Sequence, residues 1–209
     1  MPTVSELGVL ARQSIGARSP ERAIELGMHV LSYYPKAIDA CCVLGLAYAL
    51  RGEVRKAGDY FKLVLSADSE DQTALAGLGA AYKEEGRSQE AMALFQWALD
   101  LQPDGARLRR EVLGLSRLCD AIPRDRLKPT RGGLGRIYLR SGLYDRAAKE
   151  LAVVLAAEPD RLDVAAGLAE SLWRAERYGE AAQVCNGILD LAPDCLKAKL
   201  LLAEMGMAG

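Results

Sequence analysis

The sequence has few of the residues that build metal centres, disulfides and catalytic sites. It contains one histidine in 209 residues, and its five cysteines are odd in number. The cysteines also show no paired metal-ligand spacing, so we predict that they act as small apolar residues on helix faces. We therefore expect no cofactor and no metal, and we expect a reduced, cytoplasmic compartment. The five are Cys41, Cys42, Cys119, Cys185 and Cys195.

Long apolar runs and an excess of charge of one sign are also absent. No apolar run approaches the roughly 20 residues that a membrane helix needs. The first 20 residues lack a basic leader followed by an apolar segment, so we predict no signal peptide. The net charge of −1 gives no reason to expect nucleic acid or an anionic membrane as a partner. With half of its residues apolar, the chain is typical of a globular protein with a substantial core.

Sequence motifs of catalysis are missing as well. No glycine-rich loop opens a strand–helix unit, no P-loop occurs, and no serine or cysteine nucleophile elbow is present. His29 lies in a helical stretch without a second ligand nearby, which favours a surface or partly packed histidine over a catalytic base. We expect that the chain is not an enzyme.

What the chain does contain is a pattern of small, aromatic and proline residues with a period of 34 residues. A fixed period of this length is typical of stacked supersecondary units, each too small to bury its own apolar face. The pattern Gly79, Tyr82, Ala91, Phe95, Pro103 recurs upstream as Gly45, Tyr48, Ala57, Phe61, and downstream as Gly135, Tyr138, Ala147, Leu151, Pro159 and as Ala169, Leu172, Ala181, Cys185, Pro193.

Within each period the apolar spacing is helical. Leu75, Leu78 and Tyr82 follow one helical stripe, a second stripe begins at Ala91, and a polar turn around Gly86 lies between them. Each unit is therefore predicted to be a helix–turn–helix hairpin. Gly79 and Ala91 should face each other where the helices cross, and aromatic residues such as Phe95 should fill the space against the next unit.

The Leu-Gly-x-x-Tyr…Ala-x-x-x-Phe…Pro set of residues 78–103 resembles the tetratricopeptide repeat (TPR) family, and the resemblance covers nearly the whole chain. It implies an all-α fold, a right-handed superhelical stack of hairpins known as an α-solenoid. The predicted organisation is repeats 1–3 in residues 1–105, an extra helix and basic loop in 106–127, repeats 4–5 in 128–195, and a capping or truncated sixth-repeat helix in 196–209.

Residues 106–127 do not fit the 34-residue register, and positive charge is concentrated at this break. Residues 106–131 contain eight basic and three acidic side chains, and Arg136 and Arg140 extend this basic stretch. One interpretation is a docking point for an acidic peptide or a phosphate group. The other is a solvated loop whose arginines pair with carboxylates of neighbouring units. The apolar stripe formed by Leu108, Val112 and Leu115 predicts one amphipathic helix in the same segment.

The resemblance also implies where a partner would bind, since the first helix of each TPR hairpin lines a concave face that commonly binds peptides. At the implied lining positions, Leu46, Leu50, Leu139 and Trp173 are predicted apolar anchors, with Arg136 and Arg140 favouring acidic flanks. An alternative is that neighbouring inner helices or another part of the chain cover the leucines.

The predicted function is a non-catalytic scaffold that binds a peptide or helix of a partner protein in the concave groove. Two alternatives stay open at this point. The chain could be a substrate-recruiting or regulatory arm of a larger enzyme, or a self-association module that forms a homo-oligomer.

Overall fold

The structure, a computed structural model, describes residues 4–17, 19–102, 105–118 and 129–207. Within these ranges every regular element is an α-helix and no β-strand occurs, which confirms the predicted all-α class. The helices are α1 (Val4–Gly16), α2 (Pro20–Tyr33), α3 (Ile38–Leu50), α4 (Val54–Ala67), α5 (Gln72–Glu84), α6 (Ser88–Leu101), α7 (Ala106–Leu118), α8 (Arg131–Arg140), α9 (Tyr144–Ala157), α10 (Leu162–Arg174), α11 (Tyr178–Leu191) and α12 (Leu196–Met207).

The chain divides into two compact units. The first comprises Met1–Leu65 with Asp71–Phe95, and the second comprises Ser66–Glu70 with Gln96–Gly209. In the first unit the first helices of successive hairpins, α1, α3 and α5, contact one another in that order. The same holds for α8, α10 and α12 in the second unit. The division into repeat blocks that the sequence suggests stays a prediction.

The third hairpin shows why its small residues are needed. A Cβ atom at Gly79 would lie 3.1 Å from the Phe95 ring and 3.4 Å from the carbonyl oxygen of Ala91. Ala91 is fully buried, so Gly79 and Ala91 do face each other where α5 crosses α6. The Phe95 ring lies against Gly79 of its own hairpin, because the missing side chain leaves room for it.

Phe61 fills the corresponding space in the second hairpin and also reaches the third. A Cβ atom would lie 2.7 Å from the Phe61 ring at Gly45, in the same hairpin, and 2.3 Å from it at Gly77, in the next one. The ring is fully buried between these two backbones. Here an aromatic side chain does link one hairpin to the next, as the repeat pattern predicts.

The turns inside the hairpins depend on a left-handed backbone at one repeat position. Gly52, Gly86 and Gly142 have φ angles of 76°, 79° and 74°. Glycine adopts this conformation without the steric cost that a side chain brings, and it ends the first helix of these three hairpins. In the fifth hairpin Glu176 occupies the same position with a φ of 61°.

The turns between hairpins share a proline position, which Ser69 occupies in the turn between α4 and α5. Pro35, Pro159 and Pro193 hold the first residue of a two-residue turn, and Ser69 holds the same place between α4 and α5. Ser69 is 8% exposed, and its hydroxyl has no hydrogen-bond partner among the residues that the structure describes. An unpaired buried hydroxyl costs free energy, so this turn is less well stabilised than its counterparts.

We expect Ser69→Pro to stabilise the protein by about 0.4–1 kcal/mol, because proline restricts the unfolded chain at a site where three related turns already accept it. Urea unfolding of the variant and the parent measures the difference. Ser69→Ala separates the two contributions, since it removes only the orphan hydroxyl. A lower midpoint for Ser69→Pro would mean that the Ser69 backbone differs from that of Pro35.

The segment between the third and fourth hairpins forms α7. Leu108, Val112 and Leu115 are buried along one side of this helix, where the sequence predicts an amphipathic helix. The basic loop predicted to follow it, including residues 119–128, lies outside the described residues. At the other end of the second unit, α12 is held by Ala198 and Leu201, which are buried in one apolar cluster with Cys185 and Ile188 of α11.

Candidate binding surface

In the first unit, the predicted anchors lie at the end of α3. Most of this helix is buried, yet Leu46 is half-buried and Leu50 is 51% exposed. Both side chains belong to the positions at which the repeat pattern places the peptide-lining surface. They therefore offer apolar area that their own hairpin does not cover.

In the second unit, three of the predicted residues remain accessible at the ends of α8 and α10. Leu139 and Trp173 are half-buried, and Arg140 is exposed. Trp173 packs against the apolar clusters of α10 and α11 with part of its ring. The Arg174 guanidinium lies over this ring at 5.2 Å from its centroid. This pairing gives an apolar surface with a cation at its margin.

Arg136, the remaining predicted residue, is placed differently. It is 6% exposed, and its guanidinium donates hydrogen bonds to the Glu70 carboxylate and to the backbone carbonyl of Asp163. A Cβ atom at Gly167 would lie 2.7 Å from its Cζ atom, so the guanidinium lies directly against the α10 backbone. Arg136 therefore already binds a carboxylate inside the second unit, which agrees with the interpretation that arginines pair with neighbouring carboxylates.

Glu70 is the centre of this ionic group. Its second carboxylate oxygen accepts a hydrogen bond from Lys197 Nζ at 2.6 Å, and Lys197 also contacts Glu170 at 2.6 Å. Burial raises the pKa of Glu70, but the charges and hydrogen bonds of Arg136 and Lys197 outweigh burial and lower it overall. Since the folded pKa is the lower one, ionised Glu70 stabilises the fold above its unfolded pKa. This stability is lost as the pH falls through the folded pKa.

A second ionic group surrounds Arg161. Its Nε and Nη2 atoms donate to the two oxygens of Asp163 at 2.8 and 2.7 Å, a bidentate arrangement. The Asp100 carboxylate lies 3.7 Å from Nη2, and the guanidinium sits 4.4 Å above the Trp97 ring. Arg161, Asp163 and Asp100 are all nearly excluded from solvent. One buried cation thus balances two buried carboxylates.

Asp100 reaches the beginning of α8 because the second and third residues of that helix are glycines. Its carboxylate accepts a hydrogen bond from the Thr130 hydroxyl at 2.5 Å, and Thr130 in turn accepts one from the Gly133 amide. A Cβ atom at Gly132 would lie 2.8 Å from the carboxylate. Burial raises the pKa of Asp100, although hydrogen bonds from Thr130 and Gln96 and the charge of Arg161 act in the opposite direction.

These contacts change which lining positions are open on α10. Asp163 and Ala166 are buried, and Glu170 is half-buried in its pair with Lys197. On α10, the surface that could contact a partner is therefore limited to the last turn, where Trp173 lies. The sequence contains one weak signal of these buried ion pairs. Arg161 and Asp163 lie on either side of the first residue of α10, but this arrangement resembles an ordinary helix cap.

The basic stretch is only partly covered by the described residues. Arg107, Arg109 and Arg110 are exposed on α7, and Arg131 lies 3.6 Å from Glu150. The remaining positions, from Arg117 to Lys128, have no described side chains. Docking of an acidic peptide or a phosphate at this stretch stays a prediction.

The four cysteines in the described part of the chain and the histidine have ordinary packing environments. Burial raises the pKa of Cys42 and of Cys185 to about 11, so both thiols stay protonated at neutral pH. His29 is exposed and makes an edge contact with Tyr33, with ring centroids 5.3 Å apart. In the described part of the chain no three potential metal-ligating side chains form a group.

None of the helices built from described residues is long and apolar enough to cross a membrane.

Comparison with protein families finds two matching models, each described as tetratricopeptide repeat. One matches residues 133–195, and the other matches residues 38–71 and 73–104. No curated protein matches the sequence.

Solved structures show the same likeness. TTC0263, a thermophilic TPR protein in Thermus thermophilus, is 18% identical, with 98% of this chain and 100% of that chain covered and a TM-score of 0.50. YrrB, a TPR protein with an unusual peptide-binding site, is 18% identical, with 94% and 90% covered and a TM-score of 0.50. The chain spans 55% of the P58(IPK) TPR domain chain, with 98% of this chain covered at 18% identity and a TM-score of 0.48. At these identities the likeness shows the fold alone.

Proposed function

Because this chain belongs to the tetratricopeptide repeat family, whose repeats are generally protein-interaction modules, we propose that it is a non-catalytic scaffold. It binds a peptide or a helix of a partner protein through the lining positions of its first helices. Leu46 and Leu50 act in the first unit, and Leu139, Arg140 and Trp173 act in the second. Each unit has its own lining positions.

The observation that carries this proposal is the exposure of Leu50 and the partial exposure of Trp173, two large apolar side chains at lining positions. Leu50 and Trp173 occupy the last turns of α3 and α10, helices whose other residues are mostly buried. An apolar side chain left open on an otherwise buried helix supplies area that a partner can remove from water. Regularly spaced apolar residues of an amphipathic partner helix suit such anchors.

Charge at the margin favours a partner with acidic flanks. Arg140 is exposed on the last turn of α8, and Arg174 covers the Trp173 ring while it contacts Glu170 at 3.4 Å. Exposed cations of this kind speed association with an acidic partner, and salt reduces their effect. The apolar anchors would then determine how slowly the complex dissociates.

The proposal predicts different effects for the two kinds of residue. Trp173→Ala should weaken partner binding by 2 kcal/mol or more, about thirtyfold in affinity, because it removes an aromatic anchor. Arg140→Ala should mainly slow association and make it less sensitive to salt. Once a pull-down followed by mass spectrometry has named a partner, titration and association kinetics at low and moderate salt measure both effects.

Tyr178→Ala is the matched control, because Tyr178 is an exposed aromatic residue at the start of α11 and not at a lining position. Circular dichroism checks that each variant keeps its helical content. If the folded Trp173→Ala and Arg140→Ala proteins bind the partner as the parent does, the partner contacts another surface and the proposal is wrong.

A further inference from the structure

One side of α12 packs on the second unit, and the opposite side is exposed. Leu196 is 54% exposed, and Lys199, Ala203 and Gly206 are exposed as well. Their spacing places these four residues on one side of the helix, which we call the α12 face. A Cβ atom added at Gly206 would meet no atom of the described residues within 4 Å. The described part of the chain therefore leaves this face uncovered.

The α12 face contains a repeat position that is buried in other hairpins. In the 34-residue register, Ala203 corresponds to the small residue at which the two helices of a hairpin meet. In the second to fifth hairpins the residues at this position are all buried: Gly45, Gly79, Gly135 and Ala169. Ala203 is exposed, although its small side chain would allow the same close approach of a second helix.

The other hairpins show which side chain fills this place. A Cβ atom at Gly135 would lie 2.6 Å from the Leu151 side chain, so this leucine of α9 packs directly on the α8 backbone. In the fifth hairpin Ala169 replaces the glycine, and the smaller Cys185 holds the place of the leucine in one buried cluster. Ala203 therefore predicts an opposing apolar residue of the size of cysteine or valine.

A cation beside Ala203 indicates the charge of the missing neighbour. In the register, Lys199 corresponds to Arg131 of α8, and Arg131 lies 3.6 Å from Glu150, the residue before Leu151. The other three hairpins have uncharged residues here: Cys41, Leu75 and Ala165. Lys199 lies 3.6 Å from Asp194, but both side chains are about half exposed, so solvent screens this pair. Lys199 thus remains accessible to a glutamate of another helix.

We propose that the α12 face binds one amphipathic helix of a partner protein, which lies against α12 as α9 lies against α8. The partner helix has an alanine, a glutamate three residues later and a medium-sized apolar residue directly after the glutamate. In α9 this pattern is Ala147, Glu150 and Leu151. The surface goes beyond the proposed function, because Lys199, Ala203 and Gly206 do not occupy lining positions.

A helix at this place would also continue the row of second helices in the second unit. There α9 packs on α8 and α11 packs on α10, and the new helix would pack on α12 in the same way. It would remove the exposed Leu196 and the rest of the half-buried Leu202 from water. Burial of this apolar area favours association, and the pairing with Lys199 selects among apolar helices.

A peptide with the sequence of α9 is the probe. It comprises Tyr144–Ala157, a segment of 14 residues, with Leu151→Val to match the methyl group of Ala203. A side-chain lactam on its outer side keeps it helical, because isolated helices of this length are marginally stable in water. Fluorescence anisotropy of the fluorescein-labelled peptide with the full chain measures the affinity. Saturable binding is expected, and a parent protein that does not bind the probe would overturn the proposal.

The steric part of the contact is tested at Ala203. Ala203→Gln should weaken binding of the probe about tenfold, because a larger side chain holds the two helices apart. Ala152→Gln is the matched control, since Ala152 is an exposed alanine in the middle of α9. It should leave the affinity unchanged. Circular dichroism checks that both variants keep their helical content, and equal affinities of the two folded variants would contradict the proposed contact.

The ionic part is tested by exchange of charge. Lys199→Glu should weaken binding of the probe about fivefold at low salt. A second peptide that also carries Glu150→Lys should bind the Lys199→Glu protein about as well as the first peptide binds the parent. Such rescue requires that the two side chains meet. If the Lys199→Glu protein binds both peptides equally well, the glutamate does not face Lys199 and the predicted pattern is wrong.

A second copy of this chain is the competing occupant of the α12 face. Size-exclusion chromatography with light scattering shows whether the protein without the probe is a monomer. A dimer that Ala203→Gln converts to a monomer would assign the face to a second copy and overturn the proposal. Trp173→Ala should bind the probe as the parent does, because Trp173 belongs to the lining surface. Failure of the α12 face is therefore distinguishable from failure of the proposed function.

Discussion

Replacement of Arg161 by methionine should destabilise the protein by about 3–5 kcal/mol, the range for removing one partner of a buried ion pair. The variant leaves the carboxylates of Asp163 and Asp100 buried without their cation. Methionine keeps an apolar stem but removes the guanidinium above Trp97, so the loss includes this cation–π contact as well as the ion pairs. Urea unfolding monitored by circular dichroism measures it.

Arg177→Met provides the control for this substitution. Arg177 also makes a bidentate contact with a carboxylate, that of Glu180, but the pair lies on the surface. Solvent screens such a pair, so its removal should change the unfolding free energy far less. Equal losses for Arg161→Met and Arg177→Met would show that burial of Arg161 does not matter, contrary to this account.

The difference in unfolding free energy between the parent and Arg161→Met should become smaller as the pH is lowered. Burial raises the pKa of Asp100 above its unfolded value, so ionisation of Asp100 costs stability as the pH rises through that window, and the cost is absent below it. Without Arg161, whose charge partly offsets burial, this cost becomes larger. The parent and the variant should therefore differ most at neutral pH and least in acid, which unfolding curves at several pH values would reveal.

Phe61→Ala should cost about 3–5 kcal/mol as well, the usual range for truncating a buried aromatic residue. The ring lies between the backbones of Gly45 and Gly77, neither of which has a side chain that could fill the cavity. Leu63→Ala on the same helix is the control, since Leu63 is 55% exposed and its truncation should change stability little. Urea midpoints of the two variants give the comparison.

A second substitution checks the proposed cause. Gly77→Ala should destabilise the parent, because the added methyl would lie 2.3 Å from the Phe61 ring. In the Phe61→Ala background the same methyl enters the cavity, and Gly77→Ala should become neutral or stabilising. Additive losses in the double variant would mean that the ring and Gly77 do not share the contact.

The fold could be predicted because its determinants lie close together in the sequence. Gly79, Ala91 and Phe95 meet within one hairpin, and Gly86 ends a helix through its own φ angle. Contacts of this kind depend on helical periodicity and on steric limits that a stretch of 34 residues already contains. The all-α class and the hairpins follow from them.

The candidate site was harder to predict, and Arg136 shows why. Its repeat position marked it as a cation that faces a partner, but its carboxylate partner Glu70 lies 66 residues away, and Lys197 lies 127 residues from Glu70. The chain has 27 basic and 28 acidic residues, which allow very many pairings. Only the folded chain selects among them.

The sequence by itself determined the local parts of this protein: the helices, the glycine turns and the small residues at helix crossings, because each depends on neighbours within one repeat. The tertiary structure alone decided which charges are buried, which cations hold Glu70 and how much of α10 remains open. Burial and ion pairing depend on segments that are distant in the sequence. Their energies follow from desolvation and from distances of a few ångströms, which only folding establishes.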